Sequence, residues 1–590
     1  MGLVTVRTPT APAAALAPAL APAAAPGAAR LPGGLGPALV AAAAALVCYF
    51  AGWRGTDWAA ELYRAGEVAR HGLTVWDPGW YGGTLPLAYS LLLPPAGALF
   101  GLWPLTVVSA AAAAFCFDRL ISPKRGWPPL ASWYFAVSTV IAVAIGQLPT
   151  LAGEALALGC ILCAVPGGRP NRRGARRLAA CALGLGAALT TPVAGAFLAI
   201  SFAAWGLVDL ATPGRRHGGA HKLLAATALL AATVFLPLVF GQAGYFPFPY
   251  GDLLAVLGVC TYLALPWVPK TVRAGAVLYA LATLAVFVVP NDLGDNDARF
   301  AAYIGVPLVI FYLPAACRML RAELVSRDLP ALVSRGLGVL ALASSVLWEW
   351  SPIAEAVQGT VTGPASLLSF YRPVLEELGN LSNGLPTRVE VPPLAGHWEA
   401  VYIAPEFPLA RGWERQLDMA YNPLFYQAGP LPGRAYKQWL VADGVSYVAL
   451  ANARLDYAAE SEAKLLHEGD VPGLVPVWRD PKWELWRVEG PGAEVTALAR
   501  WPAVVTSLAP DRVVVRFYKP GASILKIRWA NEWSLGTSEA SWVCAGPSGG
   551  GWTEVSASKA GNVVLTISLF GPDHGTQCPS PARPAHVPSR

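Results

Sequence analysis

Charged side chains are scarce in this sequence of 590 residues: Asp, Glu, Lys and Arg make up 14% of it, whereas hydrophobic residues make up 55%. An ordinary soluble domain has about 25% charged residues. Such a low share excludes a chain built mainly of soluble domains, because long apolar stretches need lipid around them. We therefore expect a polytopic α-helical membrane protein.

An extended basic surface is also lacking. The net charge is +6, but Lys and Arg lie mainly in short loops between apolar runs, where they set the orientation of membrane helices. A nucleic-acid-binding protein would gather them on one face. We therefore expect membrane lipids around the chain and no nucleic acid.

Cysteine is uncommon, and its spacing gives little sign of a metal site. Cys160 and Cys163 form a CxxC, but both lie inside an apolar run without a second ligand pair, so we interpret them as packing residues. Cys544 and Cys578 lie in the polar C-terminal part. We expect them to form a disulfide if that part faces an oxidising compartment.

The apolar runs predict about eleven membrane spans. Residues 1–34, rich in Ala and Pro, are expected to form a disordered cytoplasmic tail, and residues 35–352 a transmembrane domain. Pro94 and Pro95 predict a short outer helix or bend before the second span. The expected spans are 37–53, 88–117, 130–145, 149–165, 178–190, 193–208, 223–240, 253–268, 274–289, 300–316 and 336–350.

The distribution of basic residues predicts the orientation. Alternate loops are rich in Lys and Arg, whereas the predicted loops between them hold only Arg54, Arg64, Arg70 and Arg299. The basic loops are expected on the cytoplasmic side of a plasma membrane. This places the N-terminus in the cytoplasm, and an odd number of spans places the C-terminal part outside.

The exterior part is expected to contain two modules. Helix-like and strand-like runs alternate over residues 353–490, which predicts an α/β module. Short β-rich runs between Gly and Pro turns over residues 491–578 predict a β-sandwich. Residues 579–590 are expected to be disordered.

Acidic and basic side chains first gather in the exterior loop after the first span. Asp57, Glu61 and Arg64 recur at spacings of three and four, which places them on one face of a helix lying along the membrane. One interpretation is an interfacial helix whose charges face water, with Trp80 and Tyr81 in an aromatic belt. The other makes Asp57 a base that accepts a proton from a bound hydroxyl.

A second polar cluster lies in a later exterior loop, where Asn296, Asp297 and Arg299 precede a span. The Arg299 guanidinium at the lipid boundary is a candidate for binding a phosphate. A salt bridge to Asp295 or Asp297 is the alternative. The Asp-rich loop is also a candidate for a divalent metal such as Mg or Mn, so metal dependence stays open.

Glu154 and Tyr245 are the remaining candidates at the outer membrane boundary. Glu154 is predicted about one turn into a span, where an ionisable group faces a polar cavity or makes an interhelical hydrogen bond. Tyr245 lies in an aromatic outer loop. A lipid-linked substrate keeps its tail in the bilayer and its polar head at this level, so these clusters suit such a substrate.

The exterior α/β module has a polar, aromatic segment of its own. Its candidates for sugar binding are His397, Glu399, Arg411, Trp413 and Glu414. Sugar sites combine aromatic rings with charged groups that bond hydroxyls. Ion pairs inside an ordinary α/β module would give the same composition, so both interpretations stay open.

This layout resembles the GT-C superfamily of polyprenyl-phosphate-sugar-dependent glycosyltransferases. The features that carry the resemblance are the first span, the long exterior loop 54–87 with Asp57 near its start, the many later spans and the exterior C-terminal domain. Within that superfamily, the runs DWAAELYRAGEVARHG, VWDPGWYGG and PLAYSLLLPP resemble bacterial membrane proteins named pyruvoyl-tetrahydropterin-synthase-related. That name implies no pterin chemistry here.

The resemblance implies an inverting glycosyltransferase that moves a sugar from a polyprenyl phosphate to a cell-envelope glycan, lipid or protein. Asp57 takes the position of the catalytic base. Many members carry a second acid next to the first, but Trp58 stands there in this sequence, so either Glu61 one turn later substitutes for that acid or the chain lacks transferase activity. Arg299, with Arg64 in reserve, would bind the donor phosphate. No cofactor is certain.

The alternative is a non-catalytic protein, either a transporter or an envelope scaffold whose exterior module binds glycans. Transporters usually place ionisable groups near the middle of the bilayer. The acidic residues here are predicted mostly in outer loops, which favours the enzyme.

Overall fold

The structure, a computed structural model, describes residues 34–121, 129–166, 170–241, 244–325, 340, 342–353, 363–490, 498–536, 543–567 and 578. The predicted tails at residues 1–33 and 579–590 lie outside this description, as does most of the N-terminal half of the last predicted span.

The first part of the chain is helical. Its helices are α1 (Leu35–Phe50), α2 (Asp57–His71), α3 (Leu93–Phe100), α4 (Leu102–Ile121), α5 (Leu130–Ile145), α6 (Leu148–Ala164), α7 (Arg173–Thr190), α8 (Pro192–Leu210), α9 (Arg216–Phe240), α10 (Tyr250–Leu263), α11 (Lys270–Val288), α12 (Ala298–Phe300), α13 (Val306–Val325) and α14 (342–353). A π-helical turn, Ala301–Gly305, joins α12 to α13.

Five helical segments of the described chain are long and apolar enough to cross a membrane. They are Leu102–Ile121, Pro192–Leu210, Arg216–Phe240, Lys270–Val288 and Gly294–Met319, and four shorter apolar helices accompany them. The chain is therefore a helical protein with membrane-type segments. The count of eleven spans and the sidedness stay predictions.

Small residues allow the first helices to pack closely. Ala41 and Ala45 of α1 are fully buried, as are Ala110 and Ala113 of α4. Helices in lipid associate through such small side chains, because they let the backbones approach. α1 packs against both α4 and α5 in this way.

The long apolar run at residues 88–117 is divided as its prolines predict. α3 begins with Leu93, Pro94 and Pro95, where proline costs no helical hydrogen bond, and ends at Gly101 with a φ of 80°. α4 then starts at Leu102. The expectation of a short helix before the second span is confirmed.

The C-terminal part contains strands and shorter helices. The helices are α15 (Leu368–Ser382), α16 (Glu399–Tyr402), α17 (Arg415–Tyr421), α18 (Gly433–Ala442) and α19 (Glu460–Glu468). The strands are β1 (Arg388–Glu390), β2 (Val445–Ala451), β3 (Leu474–Arg479), β4 (Trp483–Val488), β5 (Ala503–Ala509), β6 (Arg512–Phe517), β7 (Gly521–Arg528), β8 (Trp533–Leu535), β9 (Val543–Pro547), β10 (Trp552–Ala557) and β11 (Gly561–Ile567).

These strands form three sheets. The first has the order β1-β2-β4-β3, with β1 and β2 parallel and the other pairs antiparallel. The other two have the orders β7-β10-β9 and β5-β6-β11-β8, and alternate residues such as Val513, Val515 and Val563 are buried. Cys544 of β9 and Cys578 are joined by a disulfide.

The long loop after α1 contacts both C-terminal modules. The Trp76 amide donates a hydrogen bond to the Asp511 carboxylate of the β-sandwich, at 2.7 Å. Trp80 forms a parallel β-bridge with Leu409 of the α/β module. The loop therefore lies between the helical bundle and the strand-containing part, and its charged helix α2 is enclosed.

Candidate functional site

Asp57 is held by contacts between the start of α2 and the end of α5. The Gly55 amide donates to the Ala144 carbonyl at 2.8 Å, and the Trp58 indole donates to the Val143 carbonyl at 2.8 Å. A Cβ on Gly146 would come within 2.4 Å of the Trp58 nitrogen. Only glycine allows this approach, so the turn between α5 and α6 lies directly against the first turn of α2.

Arg299 is attached to the same turn from the other side. Its Nη1 donates to the Thr150 hydroxyl at 2.9 Å, and the Tyr303 hydroxyl donates to the Gln147 side chain at 2.6 Å. The π-helical turn that follows Arg299 is a rare distortion that is frequent at functional sites. The salt bridge considered from the sequence is absent: no ion pair joins Arg299 to Asp295 or Asp297, both of which the structure describes.

Asp57 and Arg299 act on each other electrostatically. Burial raises the pKa of Asp57 above its ordinary value. The Arg299 guanidinium is the strongest of the groups that oppose this rise, followed by a hydrogen bond from Thr56 and by the charges of His397 and Arg64. The two residues predicted to bind donor phosphate and to accept a proton therefore lie in one neighbourhood.

An apolar cavity of about 420 Å³ extends from this neighbourhood into the bundle. Arg299, Thr150, Glu154 and Tyr303 supply polar groups to its wall near the start of α6. Its lining extends as far as Ile121, the last residue of α4. Most of the lining residues are Phe, Leu, Ile, Val and Ala from α6, α8, α10, α11 and α13. The cavity therefore suits a long apolar chain with a polar head at Arg299.

Two further charged residues of α2, Glu61 and Arg64, are buried in an ion-pair cluster. Arg64 pairs with Glu414 at 2.6 Å and with Glu61 at 3.5 Å, and its guanidinium lies 3.8 Å from the centre of the Tyr89 ring. Only 1% of Glu61 and 4% of Arg64 is exposed. The interpretation of α2 as an interfacial helix whose charges face water is therefore wrong for these residues, because the α/β module covers them.

Glu61 is the least satisfied member of this cluster. Neither of its buried carboxyl oxygens accepts a hydrogen bond within the described chain. Burial raises its pKa to about 7, against the pull of Arg64 and with the help of the Asp57 charge. A buried acid that titrates near neutral pH is typical of functional sites.

The α/β module packs over the first turns of α2 and covers the site. The Trp413 indole donates to the Thr56 carbonyl at 3.0 Å, next to Asp57. The Tyr81 hydroxyl donates to the Glu414 carbonyl at 2.9 Å. Trp413, Glu414 and Tyr81, all predicted to bind substrate, thus gather around α2.

His397 is the residue of the module whose charge reaches Asp57. Its Nδ1 lies 3.3 Å from Glu399 and its Nε2 lies 3.5 Å from Asp456, which also pairs with Arg415 at 2.7 Å. Burial disfavours the charged imidazole, but the two carboxylates outweigh it and raise the pKa of His397 to about 9. Its backbone has a φ of 52°, which is uncommon outside glycine. His397 is therefore fixed as a cation.

Five of the predicted site residues have other surroundings. Arg411 is buried in the module and pairs with Asp418 at 2.7 Å. Asp297 accepts a hydrogen bond from Thr283 at 2.6 Å and supports the junction of α11 and α12. Tyr245 is 43% exposed, and Asn296 is partly buried beside Asp297. Trp80 is buried against Tyr63 at a ring distance of 4.4 Å.

Sequence reasoning missed several residues that shape the site. Thr150 lies four residues before Glu154, so helical spacing would have placed the two on one face of α6. Tyr89 belongs to a motif that was noted only for its resemblance. The contact between Asp456 and His397 could not be predicted from the sequence, because the two residues are far apart in the chain and come together only in the folded module.

Metal ligands do not gather in the described chain: no group of three or more His, Cys, Asp or Glu residues there is placed to hold an ion. In the Asp-rich loop that the sequence offered as a metal site, Asp297 instead accepts a hydrogen bond from Thr283.

Comparisons with known proteins give a distant likeness. No family model matches the chain, and no curated protein matches it. Among solved structures, two of arabinofuranosyltransferase AftD from Mycobacteria are similar to it, the second being of a mutant. The first has a TM-score of 0.42 at 16% identity over 77% of this chain and 40% of AftD. The second has a TM-score of 0.44 at 19% identity over 77% and 41%.

The chain thus spans about two fifths of the length of AftD. At these scores the likeness assigns neither a substrate nor a mechanism to this chain. The resemblance to pyruvoyl-tetrahydropterin-synthase-related membrane proteins stays a prediction.

Proposed function

We propose that this chain is a membrane glycosyltransferase of the GT-C type that uses a polyprenyl-phosphate sugar as donor. One observation carries the proposal: Arg299 lines the head of an apolar cavity, and both Arg299 and the first turn of α2, which begins at Asp57, pack against the turn between α5 and α6. A carboxylate that accepts a proton and a cation that holds a phosphate are the two groups such a transfer needs.

The donor is proposed to lie with its isoprenoid tail in the cavity and its phosphate at Arg299. The lining of the cavity is almost entirely apolar, as the tail requires. Arg299 donates to the neutral Thr150 hydroxyl and forms no ion pair with the described carboxylates, so its charge is available to a phosphate. Arg64, the reserve candidate, is already paired with Glu414 and Glu61.

Asp57 is proposed as the general base. It takes the proton of an acceptor hydroxyl while the hydroxyl oxygen bonds to the anomeric carbon of the donor sugar. The bond between that carbon and the phosphate oxygen breaks, and polyprenyl phosphate leaves with the electron pair, its charge facing Arg299. Attack opposite the leaving group inverts the anomeric carbon. The step as written uses no Mg or Mn.

Glu61 is proposed to support the site rather than to act as the base. With a pKa of about 7, it is only partly ionised at neutral pH, and its nearest cation is shared with Glu414. The charges of Arg299 and His397 instead both favour the charged form of Asp57, against the effect of burial. We therefore assign proton transfer to Asp57 first.

The exterior module is proposed to hold the acceptor over Asp57. Trp413, Glu414 and His397 approach α2 from that side. The acceptor is a cell-envelope glycan, lipid or protein, and the site faces the extracytoplasmic side of a plasma membrane, with the N-terminus in the cytoplasm.

The experiment is transfer of radiolabelled sugar from a panel of polyprenyl-phosphate donors into a cell-envelope extract. Purified wild type is compared with Asp57→Asn and with Asp470→Asn, a matched loss of one carboxylate in an exposed turn. We expect transfer with at least one donor, lost in Asp57→Asn and kept in Asp470→Asn, while both variants unfold at the wild-type temperature.

Other outcomes change the account. Equal transfer in Asp57→Asn and wild type would contradict Asp57 as the base and direct attention to Glu61. Absence of transfer with every donor would favour the transporter or the glycan-binding scaffold.

A further inference from the structure

Four basic residues lie where the α/β module meets the β-sandwich; we call this group the basic crevice. Its members are Arg388, Arg500, Lys526 and Arg528. Three of them surround the Trp552 ring: the Arg528 guanidinium lies 4.4 Å from its centre, the Lys526 amine 5.2 Å and the Arg388 guanidinium 6.0 Å. The crevice is therefore a dense group of cations on an aromatic floor.

Carbonyl groups, rather than carboxylates, bind these cations. Arg388 donates to the Lys526 carbonyl at 2.7 Å and to the Asp443 carbonyl at 2.5 Å. Its Nε is buried without a hydrogen bond in the described chain, although buried polar groups rarely lack one. No ion pair within the described residues involves Arg388, Lys526 or Arg528, so their charges are not neutralised by contact.

The pKa shifts of these residues also indicate an excess of positive charge in the basic crevice. Burial lowers the pKa of Lys526; of its strongest charged neighbours, Asp443 opposes this effect, while Arg500, Arg388 and Arg528 add to it. Burial also lowers the pKa of Arg388 to about 10. Among the strongest charged neighbours of Lys526, one carboxylate is thus outnumbered by three arginines, and an anion bound beside them would relieve the repulsion between these cations.

The crevice lies next to the candidate active site. Arg528 Nε donates to the Tyr81 carbonyl at 3.0 Å, and its guanidinium lies 3.9 Å from the centre of the Tyr421 ring. The Tyr81 hydroxyl in turn donates to the Glu414 carbonyl, and Glu414 pairs with Arg64 of α2. A chain molecule that reacts at Asp57 would have its neighbouring units within reach of the crevice.

We propose that the basic crevice binds an anionic group, phosphate or carboxylate, carried on a glycan chain, so that the acceptor of this enzyme is an acidic polysaccharide. The statement that this glycan is the acceptor rests on the proposed function. The statement that the basic crevice binds an anionic glycan does not depend on it. A glycan is favoured over a lipid headgroup, because the crevice lies between the two modules outside the bundle. The partly exposed ring of Tyr421 lies against Arg528 and supplies aromatic surface of the kind usual in sugar sites.

The test is equilibrium binding of the full-length protein in detergent to three probes with one backbone: dextran, phosphorylated dextran and carboxymethyl dextran. We expect the charged probes to bind and neutral dextran to bind at least tenfold more weakly. In the double variant Lys526→Gln with Arg500→Gln, affinity for the charged probes should fall about tenfold. Arg388 and Arg528 are left intact because they also hold the backbone.

The control removes the same charge elsewhere. Arg512→Gln with Arg516→Gln alters two exposed residues of β6, on the other sheet of the sandwich, and should bind all probes as wild type does. A loss equal to that of the crevice variant would overturn the proposal, since binding would then follow net charge alone. Binding of neutral and charged dextran with equal affinity would overturn it as well.

Two further measurements separate the alternatives. Preferential binding of phosphatidylcholine vesicles containing phosphatidylglycerol, lost in the crevice variant while dextran probes do not bind, would replace the glycan with a lipid. Asp57→Asn should keep wild-type binding of the charged dextrans. If sugar transfer occurs but the charged probes do not bind, the crevice proposal fails alone; if they bind but no donor supports transfer, the enzyme proposal fails alone.

Discussion

At the scale of residues, the surroundings of Asp57 decide whether it can act as a base. Burial raises its pKa, and Arg299 and His397 are the described cations that lower it most. A phosphate bound at Arg299 would take up part of that charge. The imidazolium of His397, held by Glu399 and Asp456, would then still favour the charged form of Asp57 when the donor is bound.

Arg299 is expected to act on the phosphate. Arg299→Gln should lower kcat/KM for the polyprenyl-phosphate donor about 100-fold, because the leaving phosphate loses a charged donor. Arg299→Lys keeps the charge but not the planar guanidinium, so its kcat/KM should lie between that of wild type and that of Arg299→Gln. Steady-state kinetics at varied donor concentration measures this, and unchanged kcat/KM in Arg299→Gln would place the phosphate elsewhere.

His397 is expected to act on the pH dependence of transfer. His397→Gln removes a positive charge near Asp57, so the pKa of Asp57 should rise and transfer should be lost at a higher pH on the acid side. The measurement is the pH profile of kcat/KM, which a purely structural role of His397 would not shift. If kcat/KM falls at the same acidic pH in His397→Gln and in wild type, the assignment is contradicted. The charged groups facing this pair are Arg64, Arg299, Glu61, Glu399, Asp456 and Arg415.

At the scale of elements, apolar length predicted where helices form, and prolines predicted where one of them is divided. The α3–α4 division follows directly from Pro94 and Pro95. Composition did not predict which charged side chains are buried. Arg411 and Trp413 lie two residues apart in one polar segment, yet the first pairs inside the module and the second contacts the loop before α2.

Arg411 is therefore expected to stabilise the α/β module. It is fully buried between Asp418 and Glu462, so Arg411→Met would leave two buried carboxylates without their cation and cost about 3 to 5 kcal/mol. The control Arg479→Gln breaks an exposed pair with Glu484 and should cost less than about 1 kcal/mol. Denaturant unfolding of both variants measures the difference, and equal costs would contradict the burial of Arg411.

At the scale of the whole molecule, the candidate site is made by distant parts of the chain. Arg64 and Glu414 are 350 residues apart in the sequence, and Trp413 and Thr56 are 357 apart. Local periodicity cannot reveal such pairs, because they depend on how the α/β module packs on the helical bundle. Asp57, Glu61 and Arg299 could be predicted as site residues from the sequence, but the part of the α/β module that covers them could not.

The measurement that tests this account most directly is a cryo-EM structure of the full chain with a polyprenyl phosphate bound. We expect the phosphate at the Arg299 guanidinium, close to Asp57, and the isoprenoid tail inside the apolar cavity between α6, α8 and α11. A phosphate bound away from Arg299, or Asp57 facing open water on another side of the bundle, would contradict it.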